Sequence, residues 1–433
     1  MSTLHAGGFP EAVVRDRARR GTAAVFPDRA EYGHALLGAV PEPTPPDVLD
    51  AAQLVPPVFM PQRLEKLIDL AREPLHSDVD LATEVGGFRA ALPLYLSAFG
   101  STQVASVNLG AAAARQAGEL GIPMVVGENV VPVNGYGRLD DAGGRGLRGR
   151  ITAYADSVAD GVGGVAVQQS TEDADAEVWN LVYSDPSALP LLETGRLAFE
   201  LKVGQGAKPG LGGMTVVESA TADRLAEQFA MEPVFGEDAD RVLRCASPGT
   251  FTEEILRQQI RLMRNNFPRA KAWVKLHPGR DIAHAAAVAW AAGADAVTVD
   301  GAEGGTGWAP TAFLGGVGLP LAECLRRIGV PAGCLMVTGR VWEGLRAAKC
   351  LAAGARATGL GRAALIAVHE DPERGLVRLV EALALELRLL VSAMGKYRPG
   401  ELDAQDLWHP EGWDTTVNLG REPMISVPGR ETP

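Results

Sequence analysis

From Leu94 onward the chain repeats one unit eight times, a short and mainly apolar run followed by a segment with helical character. That alternation leaves few folds open, because parallel strands need long return connections and crossover helices supply them. The runs are approximately Leu94 to Gly100, Pro123 to Gly127, Gly164 to Gln168, Leu197 to Lys202, Ala272 to Leu276, Ala294 to Val299, Cys334 to Thr338 and Ala357 to Leu360. A polar residue or a glycine stands at the carboxyl end of each: Ser101, Glu128, Gln168, Lys202, Lys275, Asp300, Thr338 and Gly361. Eight strands with polar groups at one rim predict an α/β fold, a (β/α)8 TIM barrel whose chemistry lies at the C-terminal face.

The connections agree with this reading. Leu109 to Leu120 and Ile282 to Ala292 are alanine-rich helices, and Gly293 supplies a natural C-cap for the second. Two connections are long. After strand two, Asn134 to Arg150 is rich in glycine and charge and reads as a mobile loop or lid. After strand four, residues 203 to about 268 include a helix over Thr252 to Asn265, capped by Thr250 or Thr252. Residues 1–80 are expected to be an N-terminal extension packing on the barrel, with a proline-rich segment from Pro41 and an amphipathic helix over Arg63 to Glu73. The barrel itself is assigned to 81–400 and a C-terminal tail to 401–433.

Composition narrows the partners. A formal charge of −12 argues against nucleic acid, whose phosphates call for a basic face. No apolar run approaches the roughly 18 residues of a membrane span, and no signal-peptide core opens the chain, so the expectation is a cytoplasmic protein without membrane attachment. Cys245, Cys324, Cys334 and Cys350 are too widely spaced for a metal knuckle or redox pair, and the histidines lack paired ligand spacing. No bound metal is expected.

Three glycine-rich stretches fall at the predicted rim. ELKVGQGAKPGLGGM (Glu200 to Met214) joins Lys202, Gln205 and Lys208 to Gly206, Gly210, Gly212 and Gly213, so cations and bare backbone N–H groups are available for a carboxylate or phosphate. DGAEGGTGWAP (Asp300 to Pro310) follows strand six. Strands seven and eight end in TGR (Thr338 to Arg340) and GLGR (Gly359 to Arg362), the second leading into a helix near Ala363. Barrels commonly hold a phosphate between these last two loops, where Arg340 and Arg362 would add bidentate charge. Read singly, each stretch is also compatible with a solvated turn.

In the same order and at similar spacing, ELKVGQGAKPGLGG, the lysine of WVKLHPG (Trp273 to Gly279), DGAEGGTGWAP and GLGRAALIA (Gly359 to Ala367) resemble the FMN-binding synthase domain of glutamate synthase. FGST (Phe99 to Thr102) and GEN (Gly127 to Asn129) match that family less closely, and the resemblance spans about residues 90–405. It implies FMN as cofactor. Ser101 and Glu128 would lie beside the isoalloxazine, Gln168 would hydrogen-bond the ring edge, and Lys275 would face N1 and O2 to stabilise negative charge on the reduced ring. Gly304, Gly305, Gly339, Arg340, Gly359, Gly361 and Arg362 would cradle the phosphate and ribityl chain. Lys202, Gln205, Lys208 and Gly212 become the substrate-binding set, and Lys275, Glu128 and Gln205 the catalytic one.

The departures from the family are equally specific. Met1 and Ser2 stand where a glutaminase would place its cysteine nucleophile. Ala367, Val368, His369 and Glu370 stand where a cysteine triplet for an iron–sulfur cluster is expected. Met214 replaces a glutamine, and GTFTEE follows Ser247 and Pro248 in place of a histidine-bearing loop. The resulting expectation is an FMN-dependent, glutamate synthase-like oxidoreductase or transferase acting on an amino acid, imine or 2-oxo acid. It would have neither glutaminase domain nor iron–sulfur cluster, and electrons would come from a separate donor protein or the substrate. The alternatives are a glutamate synthase subunit fed ammonia and electrons by partner chains, and a flavin-holding scaffold without chemistry.

Overall fold

The eight runs become eight parallel strands: β1 (Leu94–Leu96), β2 (Met124–Val126), β3 (Val165–Ser170), β4 (Leu197–Lys202), β5 (Lys271–Leu276), β6 (Ala296–Asp300), β7 (Leu335–Thr338) and β8 (Ala357–Leu360). They pair in chain order, and β8 pairs with β1, so the sheet closes into the expected (β/α)8 barrel. The computed structural model describes residues 4–6, 9–24, 47–58, 74–98, 109–127, 146–171, 176–204, 215–226, 229–233, 241–245, 251–304 and 317–410.

Alternate positions of each strand face different surroundings, as a two-residue period requires. Leu197, Phe199 and Leu201 of β4 join the large core between sheet and helices, as do Val297 and Val299 of β6. The inward set is different. Ala166, Ala198, Trp273, Ala296, Met336 and Ala357 form a second apolar cluster near the strand starts, and small residues there make room for the Trp273 indole. An antiparallel hairpin, Thr83–Val85 with Phe88–Ala90, closes this N-terminal end. Its turn glycines Gly86 and Gly87 have φ of +56° and +86°, and the Gly86 carbonyl accepts the Trp273 indole N–H at 2.9 Å. A Cβ on Gly86 would lie 2.5 Å from that indole.

The surrounding helices are α1 (Glu11–Arg20), α2 (Leu109–Glu119), α3 (Leu147–Ala155), α4 (Ala176–Ser184), α5 (Glu253–Asn266), α6 (Ile282–Ala291), α7 (Leu321–Ile328), α8 (Gly344–Ala352), α9 (Arg362–Glu370) and α10 (Gly375–Ala393). Thr252, not Thr250, caps α5, its hydroxyl accepting from Ile255 N at 3.2 Å. Gly293 follows α6 with φ of +102°. The connection after β4 contains more structure than its sequence suggested: Thr215–Glu218, Arg241–Arg244 and Met231–Glu232 form a small antiparallel sheet ahead of α5.

Helix α1 lies against α9 and α10. Arg17 is buried and makes two hydrogen bonds to Glu386 of α10, at 2.8 and 2.6 Å, while Arg15 pairs with Glu370 of α9 at 2.9 Å. The helix expected over Arg63 to Glu73, the segment from Pro41 and residues 134–145 of the long loop lie outside the described residues; α3 takes up the loop's end. Among the described residues no helix is long and apolar enough to cross a membrane.

Candidate active site

Above the apolar layer the barrel interior becomes polar. Parallel register brings Gln168 of β3 beside Glu200 of β4, Lys202 of β4 beside Lys275 of β5, Lys275 beside Thr298 of β6, and Asp300 of β6 beside Thr338 of β7. All are buried. The Lys275 ammonium lies 3.0 Å from Asp300 Oδ2, and the Thr338 hydroxyl donates to Asp300 Oδ1. Glu200 accepts from Thr298 Oγ1 at 2.8 Å and from Gln168 Nε2. Two lysines and two carboxylates therefore share one enclosed volume, which balances formal charge where isolated ions would be costly.

Burial pushes the Glu200 carboxyl above the ordinary carboxylate range, against the Lys275 charge and the hydrogen bonds from Thr298 and Gln168. Burial, reinforced by the Asp300 and Glu200 charges, raises the Tyr95 phenol as well. Among the described residues, Tyr95 OH and Gln168 Oε1 are buried without a hydrogen-bond partner. Gly359 lies between Thr338 and Tyr95, so close that a Cβ would sit 2.3 Å from Thr338 Cγ2 and 2.7 Å from the Tyr95 ring. At the end of β5, burial holds the His277 imidazole below its ordinary pKa, opposed by the Asp281 charge. Its ring packs on Gly204, at the start of the loop that leaves β4.

A second cluster occupies the rim after β6, β7 and β8. Arg340 has φ of +54°, a left-handed conformation uncommon for a residue with a side chain, and its guanidinium lies 5.2 Å from the Trp342 ring. Arg362 opens α9, donates to the Glu303 carbonyl at 2.6 Å and lies 5.1 Å from the Phe9 ring. Burial and the neighbouring Arg340 charge lower the Arg362 pKa, opposed by the Glu303 charge. Gly361 precedes α9 without a side-chain cap, and a Cβ there would meet nothing within 4 Å. Backbone N–H groups at a helix start, two arginines and open space are thus gathered at this rim, with Arg340 also 3.9 Å from Asp50 Oδ2.

Arg346 of α8 holds this rim together from behind. Only 1% exposed, it donates to the Gly339 carbonyl at 2.8 Å, to Glu303 at 2.9 Å, and to Asp47 and Asp50 at 2.7 Å each. Burial works against its charge, but Asp47 and Asp50 raise its pKa above the ordinary guanidinium value. The loops after β6 and β7 and the short helix Val48–Ala51 are thus fastened to one side chain.

Of the residues singled out from sequence, Gln168, Lys202, Lys275 and Gly359 meet inside the barrel, while Gly304, Gly339, Arg340, Gly361 and Arg362 lie along the rim. Lys202 is the last residue of β4 and belongs to the barrel interior, not to the loop that follows. A Cβ on Gly304 would make only ordinary contacts, at 3.7 Å and beyond. Ser101, Glu128, Gln205, Lys208, Gly212 and Gly305 lie outside the described residues. Sequence reasoning gave no role to Glu200, Thr298, Asp300, Glu303 or Arg346. The i, i+2 spacing of Ala198, Glu200 and Lys202 was the available signal for Glu200; Arg346 lies in a helix and carried none.

The fold places the chain in the class of (β/α)8 barrels, with buried charged side chains at the C-terminal end of the strands. The conserved region in glutamate synthase matches residues 191–370, from just before β4 to the end of α9. This part of the chain is similar to the corresponding domain of that family. A glutamate synthase large subunit-like protein of Rhizobium meliloti is 33% identical over 183 residues, 40% of each chain. An archaeal-type glutamate synthase [NADPH] of Thermotoga maritima is 34% identical over 180 residues, 40% of this chain and 34% of the relative. The chain thus aligns with less than half the length of these relatives. In fold it is similar to (S)-mandelate dehydrogenase from Pseudomonas putida, with a TM-score of 0.55 and 18% identity over 93% of this chain and 99% of the other. It is similar also to a mandelate oxidase carrying a monooxide FMN adduct, with a TM-score of 0.53 and 18% identity over 84% and 90%.

Proposed function

We propose that this chain is an FMN-dependent, glutamate synthase-like oxidoreductase or transferase that acts on an amino acid, imine or 2-oxo acid. The observation that supports it most directly is the pairing of a buried lysine at the end of β5 with a two-arginine anion site at the β7–β8 rim. The described residues fit the cofactor. Gly361 leaves open space at the start of α9, and Gln168 keeps a buried acceptor without a partner among the described residues. Arg340, Arg362 and the backbone around Gly339 and Gly361 would hold the phosphate, with Gly304 and Gly305 beside the ribityl chain and Gln168 and Lys275 at the ring. Ser101 and Glu128 are assigned to the ring on resemblance alone. When bound, the flavin supplies reversible uptake of two electrons.

The protein's own groups then divide the work. Lys275, steadied by Asp300 and Thr338, keeps a fixed positive charge at a site shielded from water, where it stabilises developing negative charge more strongly than in solvent. Lys202, Gln205 and Lys208, with Gly212, bind and orient a substrate carboxylate. Residues Ala367–Glu370, where the resemblance calls for cluster cysteines, form the last turn of α9, so electrons are assigned to a separate donor protein or to the substrate.

The test combines identity and geography. Purified protein should release FMN, identified by chromatography. Arg362→Ala should lose flavin first and regain activity with excess FMN. Lys208→Ala should keep its flavin and lose about ten- to hundredfold in kcat/KM, the effect of one charge-assisted hydrogen bond. Recovery of FAD, or of protein that FMN cannot reconstitute, would refute the reading. Flavin lost from Lys208→Ala but retained by Arg362→Ala would reverse the orientation of the site.

A further inference from the structure

Among the described residues Glu200 is the most enclosed carboxylate of the barrel interior, 1% exposed, and none of the roles above uses it. It joins three strands. Gln168 Nε2 donates to its Oε2 from β3, and Thr298 Oγ1 donates to its Oε1 at 2.8 Å from β6, across β5. A donor thus faces each oxygen of Glu200, the arrangement that an ionised carboxylate, which can only accept, requires. For Gln168 this decides which end of the amide points where. A reversed amide would set its carbonyl oxygen against the carboxylate, acceptor against acceptor. With the nitrogen committed, Oε1 is left over, and it is buried without a partner among the described residues. A buried acceptor left unmet is unfavourable unless something else meets it.

We infer that Glu200 is a positioning residue: by holding the amide nitrogen of Gln168, it commits Gln168 Oε1 to accept a hydrogen bond from an imide-type N–H of the bound ligand. Under the FMN reading, on which this inference rests, that donor is N3–H of the flavin pyrimidine ring. Glu200 thereby selects for a ligand with a donor at that edge without touching the ligand.

The experiment compares binding of FMN and of N3-methyl-FMN, which lacks the donor, to apoprotein by quenching of flavin fluorescence. Wild type should prefer FMN by about tenfold, the effect of one ordinary hydrogen bond. In Glu200→Leu no acceptor holds the amide nitrogen, so Gln168 can turn either end toward the ligand and the preference should shrink toward one. A residue that merely supported the fold would weaken both ligands alike and leave their ratio unchanged, and an unchanged ratio in folded Glu200→Leu overturns the inference. If that variant does not fold, Gln168→Met, which removes the acceptor at similar volume, must abolish the preference; a retained preference there, or equal binding of both ligands by wild type, also overturns it. Failure of wild type to bind FMN at all would instead refute the cofactor assignment itself.

Discussion

Lys275 Nζ lies 3.0 Å from Asp300 Oδ2, with both side chains at least nine-tenths buried inside the barrel. The pair spans adjacent strands, β5 and β6, at the level where the interior changes from apolar to polar. Removing one member would strand the other's charge, and breaking a buried pair in this way costs about 3 to 5 kcal/mol. Lys275→Met should therefore lower the unfolding free energy by that order in urea titration. Adding Asp300→Asn should recover most of the loss without restoring the proposed activity. A single-variant loss below about 1 kcal/mol would mean that the pair is solvated and not enclosed.

Two glycines at the same rim should respond in opposite ways. A methyl group at Gly359 collides with Thr338 and the Tyr95 ring, so Gly359→Ala should destabilise the barrel by about 1 to 3 kcal/mol, the usual cost of overpacking. At Gly361 a methyl group enters open space, with φ at an ordinary −107°. Gly361→Ala should melt like wild type yet bind FMN more weakly, because its methyl group would share the phosphate's volume. Thermal melts of the two apoproteins, followed by FMN titration, separate these outcomes. Normal FMN affinity in Gly361→Ala would argue that the phosphate lies elsewhere.

The buried imidazole at the end of β5 should make stability depend on pH. Burial lowers the His277 pKa in the folded protein below its ordinary value near 6.5. As pH falls through 6.5, the unfolded chain takes up a proton that the folded protein refuses, so stability decreases with falling pH until the folded pKa is reached. Below that point this contribution is flat. Melting temperatures between pH 5 and 8 should show a shallower acid-side decline in His277→Gln than in wild type. Parallel curves would exclude His277 as the source.

The barrel was legible because its strands are apolar runs of characteristic length and its helices are alanine-rich, and both follow from local pattern. Even the rim could be read: strand ends carrying Gln168, Lys202, Lys275 and Asp300 were visible as polar residues closing apolar runs. The small sheet of Thr215–Glu218, Met231–Glu232 and Arg241–Arg244 was not. Its strands, TVVE, ME and RVLR, are as short as several barrel strands but mix charged residues with apolar ones and so do not read as apolar runs.

By itself, the sequence determined the (β/α)8 fold and the positions along the chain where function would gather, since hydrophobic period and glycine placement are local properties. Only the tertiary structure decided which of those positions share a volume. Glu200 and Gln168 are 32 residues apart, and Arg346 and Asp47 are 299 apart. Their partnerships arise from strand register and from the packing of α8 against the short helix Val48–Ala51, which no local pattern encodes. Charge neutralisation inside the barrel works in the same way: a buried lysine is tolerable only beside a carboxylate, and barrel closure brought Asp300 to Lys275.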